Sequence, residues 1–284
     1  MKVAITGARG LFGYGLAEVF SAHHAVTALG HQEADITHAD QLRAVFGKLR
    51  PDVVIHPAAI PDLDICEADP DHAFLVNVTG TRNVVDAARE VGAAVAYISS
   101  DTVFDGKKRI PYTEADTTLP ITVYGRTKLQ GEEIVREHPE HWIFRVSVLF
   151  GPGKTNFVEK GLRKIAAGER WTVAADQTGS ATYTLDAAEK IRQVIEARRY
   201  GLYHLSNQGA CSRLDLALRA AELSGFDPAK VEGKPSREMG RRAPRNKYAV
   251  MEMRALQKAG FAPPRLWPDA LKDYLRTLDL PAVE

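Results

Sequence analysis

With only two cysteines in 284 residues, Cys66 and Cys211, the chain has no disulfide framework, and a pair so far apart in sequence points to a reducing compartment, hence the cytoplasm. An excess of charge of one sign is also lacking. Lys and Arg number 37 against 36 Asp and Glu, and a net charge of +1 supplies no field for nucleic acid or for an anionic membrane surface. No apolar run approaches the roughly 18 residues of a membrane span. The opening Met1-Lys2-Val3-Ala4-Ile5-Thr6 meets Gly7 too soon to serve as a secretory signal. The nine histidines show no metal-ligand spacing: His23-His24 falls in a turn after the first helical segment, His138 and His141 flank a helix end, and solvated rings are expected at each. Internal repeats, low-complexity tracts and linkers are absent as well.

What is present, 45% hydrophobic and 26% charged residues, suffices for one substantial α/β core and a smaller appended lobe. Apolar runs at 25–29, 52–55, 94–98, 142–149 and 202–205 alternate with helical patterns at 10–22, 40–49, 70–91, 123–137, 155–167 and 185–198. Such alternation predicts a Rossmann-type, doubly wound parallel sheet. The pattern breaks after Gly151-Pro152-Gly153. The dinucleotide-binding domain is therefore expected over 1–150 plus about 182–205, and a smaller substrate-binding lobe over about 151–181 plus 206–284.

Lys2–Thr6 reads as a buried strand and runs into Gly7-Ala8-Arg9-Gly10-Leu11-Phe12-Gly13, then into an amphipathic segment carrying Leu16, Val19 and Phe20. In a strand–turn–helix context Gly7 permits the tight turn, Gly10 lets a pyrophosphate approach the N–H groups of the helix start, and Gly13 allows close helix–strand packing. A dinucleotide is the expected ligand. NAD-binding sites use an acid at the end of the second strand to hold the ribose 2′-hydroxyl, but that end here reads Ala28-Leu29-Gly30-His31 with no acid. Arg9 stands in the glycine loop, where it could reach a 2′-phosphate or merely cover the first turn. NADP(H) is preferred on these grounds, with NAD(H) also admitted.

Tyr124-Gly125-Arg126-Thr127-Lys128 places a phenol and an ammonium four residues apart, on one face of a helix. The apolar strand Val95–Ile98 ends in Ser99, Ser100, Asp101 and Thr102, and strand carboxyl ends are where a doubly wound sheet holds its ligands, so Ser99 or Ser100 should face the cofactor crevice.

The order of these motifs, with Arg50-Pro51-Asp52-Val53-Val54-Ile55-His56-Pro57-Ala58-Ala59, Asn77-Val78-Thr79-Gly80-Thr81, Ser99 to Gly106 and Asp176-Gln177-Thr178-Gly179, resembles the extended short-chain dehydrogenase/reductases, and within them the dTDP-4-dehydrorhamnose reductase family. The resemblance implies that Tyr124 protonates a substrate carbonyl while nicotinamide delivers hydride, that Lys128 lowers the tyrosine pKa, and that Ser100, with Ser99 as second choice, hydrogen-bonds the carbonyl. It implies an aspartate–hydrophobic pair, Asp35-Ile36, beside the adenine, cofactor contacts from Leu11, Ala58, Ala59 and Asn77, and substrate contacts from Asp101, Thr102, Asn156 and Arg245. Asn77 would tie the active-site strands together, a turn cap being the plain alternative. The substrate implied is a nucleotide-linked 4-keto-6-deoxysugar.

Two departures touch that substrate. Thr102 stands where the family has an aromatic residue, and Ala243-Pro244-Arg245-Asn246-Lys247 replaces its arginine–proline–x–asparagine–serine segment. Within the basic run Arg241, Arg242, Arg245 and Lys247, Arg245 follows a φ-restricting proline and is the expected pyrophosphate clamp, a solvated surface segment being the alternative. A nucleotide-sugar dehydratase would carry Thr-Asp-Glu where this chain has Ser100-Asp101-Thr102. Epimerases share Ser, Tyr and Lys, and a non-catalytic NADP-binding regulatory subunit, similar to the methionine adenosyltransferase beta subunit, shares most of the motifs. The helices at 70–91 and 123–137 resemble the pair through which extended reductases build a four-helix homodimer interface, although sheet packing also claims their apolar faces.

Overall fold

Val3 to Thr6, all four residues of the third strand and all seven of the fourth are buried, as strands covered by helices on both faces must be. The computed structural model describes residues 1–280; the last four positions of the expected lobe, 281–284, lie outside the described residues. The chain runs β1 (Lys2–Thr6), α1 (Leu11–Ser21), β2 (Ala25–Leu29), α2 (Ala39–Leu49), β3 (Val53–His56), α3 (Leu63–Ala68), α4 (Pro70–Phe74), α5 (Gly80–Glu90), β4 (Ala94–Ser100), α6 (Val123–Arg136) and β5 (His141–Val146). It continues through β6 (Leu149–Phe150), α7 (Phe157–Ala166), β7 (Trp171–Ala174), β8 (Thr178–Ser180), β9 (Thr182–Tyr183), α8 (Thr184–Glu196), β10 (Gly201–His204), β11 (Ala210–Ser212), α9 (Arg213–Leu223), β12 (Val231–Lys234), β13 (Tyr248–Ala249), α10 (Arg254–Lys258) and α11 (Trp267–Leu275).

Six strands form one parallel sheet in the order β10-β5-β4-β3-β1-β2. Because β2 and β3 flank β1 on opposite sides, the loops leaving β1 and β3 diverge there and open a crevice. Alternation divides the core between the two faces. Val3, Ile5, Ala96 and Phe144 meet Leu16 and Phe20 of α1 and Ile191 of α8; Ala4, Val54, Val95, Tyr97 and Ile143 meet Phe46, Val85 and Val135. A third cluster, with Phe150, Leu162, Trp171, Leu216 and Tyr274, is the centre of the lobe.

Three segments depart from the sequence pattern. The run at 142–149 is two strands, because the chain breaks at Ser147, whose hydroxyl turns to donate to the Asp101 carboxylate at 2.5 Å. The helix at 70–91 is divided by a π-helical turn over Leu75–Thr79, and the additional helix α3 precedes it, capped by Asp62, whose carboxylate accepts from the Asp64 and Ile65 N–H groups. Met253 and Leu256, at the start of and within α10, pack into the large-sheet core, so the chain beyond 206 does not remain wholly in the lobe.

Candidate active site

The loop between β1 and α1 is shaped by its glycines. Gly7 has φ +59°, and a Cβ there would lie 2.7 Å from the Ala58 Cα; a Cβ at Gly13 would collide with the Gly7 carbonyl oxygen. Gly10 caps α1 with no side-chain acceptor, so the first-turn N–H groups at Leu11, Phe12 and Gly13 are left for an anion, and all three residues line the cleft. That cleft has a volume of about 970 Å³ and extends from the glycine loop to β8, β11 and the start of α9. Ala58, Ala59, Asp35 and Ile36 line its cofactor end. The Asp35 carboxylate accepts from the Thr37 N–H at 2.9 Å and the Thr37 hydroxyl at 2.8 Å; burial pushes it up, but these bonds together with the nearby His31 and His38 hold it below the usual carboxylate range.

Arg9 also lines this end, but the guanidinium is paired with Glu33, whose other carboxylate oxygen accepts from the Gly30 N–H at 2.9 Å. The end of β2 is therefore not without an acid. Glu33, four residues past the strand, folds back over it through a turn that the alternating pattern does not reveal.

Thr122 caps α6 by accepting from the Gly125 N–H at 2.9 Å, and the helix then presents Tyr124 and Lys128 to the cleft. Ser100, at the end of β4, faces the same space. Its oxygen accepts from the Thr102 N–H (3.2 Å) and hydroxyl (3.0 Å), and its own hydroxyl donates to Asp101 at 3.0 Å. Ser99 lines the cleft too, yet its hydroxyl is turned to the Glu132 carboxylate at 2.6 Å, which separates the two serines. Burial, with the neighbouring Asp101 and Cys66, raises the Tyr124 pKa above that of a free phenol. Burial likewise lowers Lys128 to about 7, against the pull of Glu132. The expected lowering of Tyr124 by Lys128 is thus not a property of the free protein: desolvation and the Asp101 charge raise the phenol, and the ammonium beside it is itself weakened by burial.

Asn77 stands behind the site. Its amide accepts from the Ile60 N–H (2.8 Å) and donates to the Ile60 carbonyl (3.2 Å) and to Thr127 (3.0 Å), so it ties the loop after β3 to α6. The π-helical turn is what aims it there.

At the other end, Asp101, Thr102, Gln177, Arg213 and Arg245 line the cleft. Arg245 is engaged: it donates to Asp64 at 2.8 Å and to the Ala243 carbonyl at 2.8 Å. Asn156 is not brought to the cleft. It caps α7, accepting from the Val158 N–H at 3.0 Å and donating to the Gly151 carbonyl and the Tyr274 hydroxyl, so its side chain is consumed in holding the lobe together.

The model of the RmlD substrate binding domain family matches residues 1–280 of the chain. This protein belongs to that family. A dTDP-4-dehydrorhamnose reductase of Mycolicibacterium smegmatis is 36% identical over 96% of this chain and 84% of its own, and the spore coat polysaccharide biosynthesis protein SpsK of Bacillus subtilis is 37% identical over 97% of each. The crystal structure of a dTDP-4-dehydrorhamnose reductase from Bacillus anthracis in complex with NADP superposes with a TM-score of 0.93 at 34% identity, covering 98% of this chain and 99% of that one. A UDP-glucose 4-epimerase of Thermus thermophilus, at 18% identity and a TM-score of 0.86, shares the fold alone.

Sequence reasoning missed several residues in this RmlD-family chain. Glu132 is fully buried and takes two bonds from Arg145, Nε at 2.8 Å and Nη2 at 2.7 Å, which pin α6 to β5 just below Lys128. Its signal was available, since Lys128, Glu132 and Arg136 follow one another at i, i+4. Arg213 and Asp64 carried no local signal. His138 is buried rather than solvated, and His24 pairs with Glu196 at 2.9 Å; among the described residues no cluster fit for a metal forms.

Proposed function

We propose that this protein is an NAD(P)H-dependent reductase of a dTDP-linked 4-keto-6-deoxysugar, a dTDP-4-dehydrorhamnose reductase-like enzyme. The observation that carries the reading is that Ser100, Tyr124 and Lys128 face one cleft whose far end is the Gly7–Gly13 cradle, in a chain of the RmlD family. The uncapped first turn of α1 fits a dinucleotide pyrophosphate, and the bound reduced nicotinamide would supply hydride to the carbonyl carbon. Tyr124 gives its phenolic proton to the carbonyl oxygen. The raised pKa keeps that proton in place at neutral pH, so the free protein is already in the acid form that reduction requires. Ser100, its oxygen held by Thr102, donates to the same carbonyl oxygen once its hydroxyl turns from Asp101 to the substrate. Lys128, close to half-charged near pH 7, stabilises the phenolate left behind, and Asn77 holds the cofactor-side loop.

NADP(H) is preferred over NAD(H): Arg9 reaches the adenosine end, and a structure of similar fold and 34% identity holds NADP. Thr102 in place of a glutamate argues against dehydration, because no carboxylate is available there as the eliminating base. We place the protein in the cytoplasm, in keeping with two buried free cysteines, and as a homodimer through α5 and α6. Arg82 on that surface is paired with Glu137 of its own chain, and a sedimentation mass of one 31.2 kDa chain would exclude the dimer. The functional reading is tested by incubating the isolated protein with dTDP-4-keto-6-deoxysugars and either cofactor. Oxidation of NADPH is the expected outcome; NADP binding without turnover of any nucleotide ketosugar would leave the non-catalytic regulatory role.

A further inference from the structure

Three cations line the substrate end of the cleft: Lys154, Arg213 and Arg245. Lys154 lies on the exposed loop before α7. Arg245 is neutralised by Asp64, which also accepts from the Ala243 N–H at 2.8 Å and lies 3.6 Å from Arg241. That arrangement makes the 241–245 segment a tethered wall, with its nearest positive charge already answered.

Arg213 differs. Its guanidinium has no carboxylate within 4.0 Å and makes no hydrogen bond among the described residues. Its Cζ lies 5.1 Å from the centroid of the Phe157 ring, and that ring packs on Trp171 at 5.0 Å, so the cation is propped from behind by a fixed aromatic pair. The backbone beneath it is equally fixed: the Arg213 N–H donates to the Gln177 carbonyl at 3.1 Å, and Ser212 and Asp215 close a capping box around the start of α9. Burial lowers the basicity of Arg213, and the carboxylate that most opposes this is Asp101, beside Ser100. Arg213 is half-buried on the cleft wall, so its unpaired guanidinium stays open to the cleft and is free to take an anion there. The planar fork suits the paired oxygens of a phosphate. The pyrophosphate of the dinucleotide cannot be that ligand, because its cradle is at the opposite end of the cleft.

The geometry points to Arg213 as the cation that grips the diphosphate of the substrate, with Arg245 reduced to shaping the wall through Asp64. The inference rests on the nucleotide-sugar reading above, and the cleft then takes sugars linked to a nucleoside diphosphate in preference to free ketoses.

The test is calorimetric titration of the NADP-saturated protein with dTDP, inorganic pyrophosphate and thymidine, for the unmodified chain and for Arg213→Met, Arg213→Lys and Arg245→Met. Arg213→Met should weaken dTDP and pyrophosphate by roughly ten-fold or more, the scale of a lost charge-assisted bond, and leave thymidine unchanged. Arg213→Lys should recover part of the loss, and Arg245→Met should change either anion by less than about three-fold, as expected where the charge is already paired. Unaltered NADPH affinity in each variant reports an intact fold. An Arg213→Met protein that binds dTDP as tightly as the unmodified one, or a larger loss in Arg245→Met, overturns the inference. If the unmodified protein holds pyrophosphate through Arg213 but shows no preference for dTDP over it, the nucleotide reading fails and the anion site stands; if it binds neither, both fall.

Discussion

The Lys128 ammonium lies over the face of the Tyr97 ring, 4.0 Å from its centroid. Tyr97 is wholly buried in β4, and α6 comes down on it at Gly131, where a Cβ would strike the phenolic oxygen. The ring therefore forms a floor beneath the ammonium. Its quadrupole favours the charged form, partly offsetting a burial that pulls Lys128 down to about 7.

This burial has a sign that can be checked. Unfolded, Lys128 keeps its proton to about 10.5; folded, it releases the proton near 7, so across that interval the unfolded chain binds more protons and stability rises with pH. The penalty is full below pH 7 and vanishes toward 10.5. Lys128→Met should therefore stabilise the free protein at pH 7 by about 1–4 kcal/mol, with the gain shrinking at higher pH, while turnover is lost. Thermal melts across pH decide the matter; a variant no more stable than its parent at pH 7 would contradict the account.

Tyr124→Phe removes the acid and keeps the ring. kcat should fall by roughly 10²–10⁴ with cofactor affinity within a few-fold. Near-normal turnover would remove Tyr124 from proton transfer.

Cofactor choice is tested at the Arg9–Glu33 pair. Glu33→Gln frees Arg9 and removes a carboxylate that would repel a 2′-phosphate, so the ratio of NADPH to NADH affinity should rise. Arg9→Ala should weaken NADPH by about 1.5–3 kcal/mol and NADH little. Equal changes for both cofactors, measured by fluorescence titration, would make the pair structural.

Glu132 and Arg145 are both buried, and Ser99 completes the set. Arg145→Met leaves the Glu132 charge with the half-exposed Arg136, the Ser99 hydroxyl and the weakened Lys128 ammonium, and should cost about 3–5 kcal/mol in urea unfolding. A loss below about 1 kcal/mol would show that these remaining groups can neutralise the site.

Most of the local pattern was legible in the chain, although the π-helical turn over Leu75–Thr79 and the helix α3 were not. The alternation of apolar runs and helical patterns required a parallel sheet, Gly7, Gly10 and Gly13 required an anion-binding turn, and four-residue spacing put Tyr124 and Lys128 on one helix face, because each of these follows from sterics and periodicity within a few residues. Tertiary structure alone decided which of two adjacent serines is turned away to Glu132, which arginine is unpaired and whether the phenol is acidic. Ser99 is taken by Glu132, 33 positions away; Arg245 is taken by Asp64, 181 positions away; and the pKa of Tyr124 depends on how much water the assembled lobe and sheet exclude. Hydrogen-bond partners and desolvation are properties of neighbours in space, and no pattern along the chain carries them.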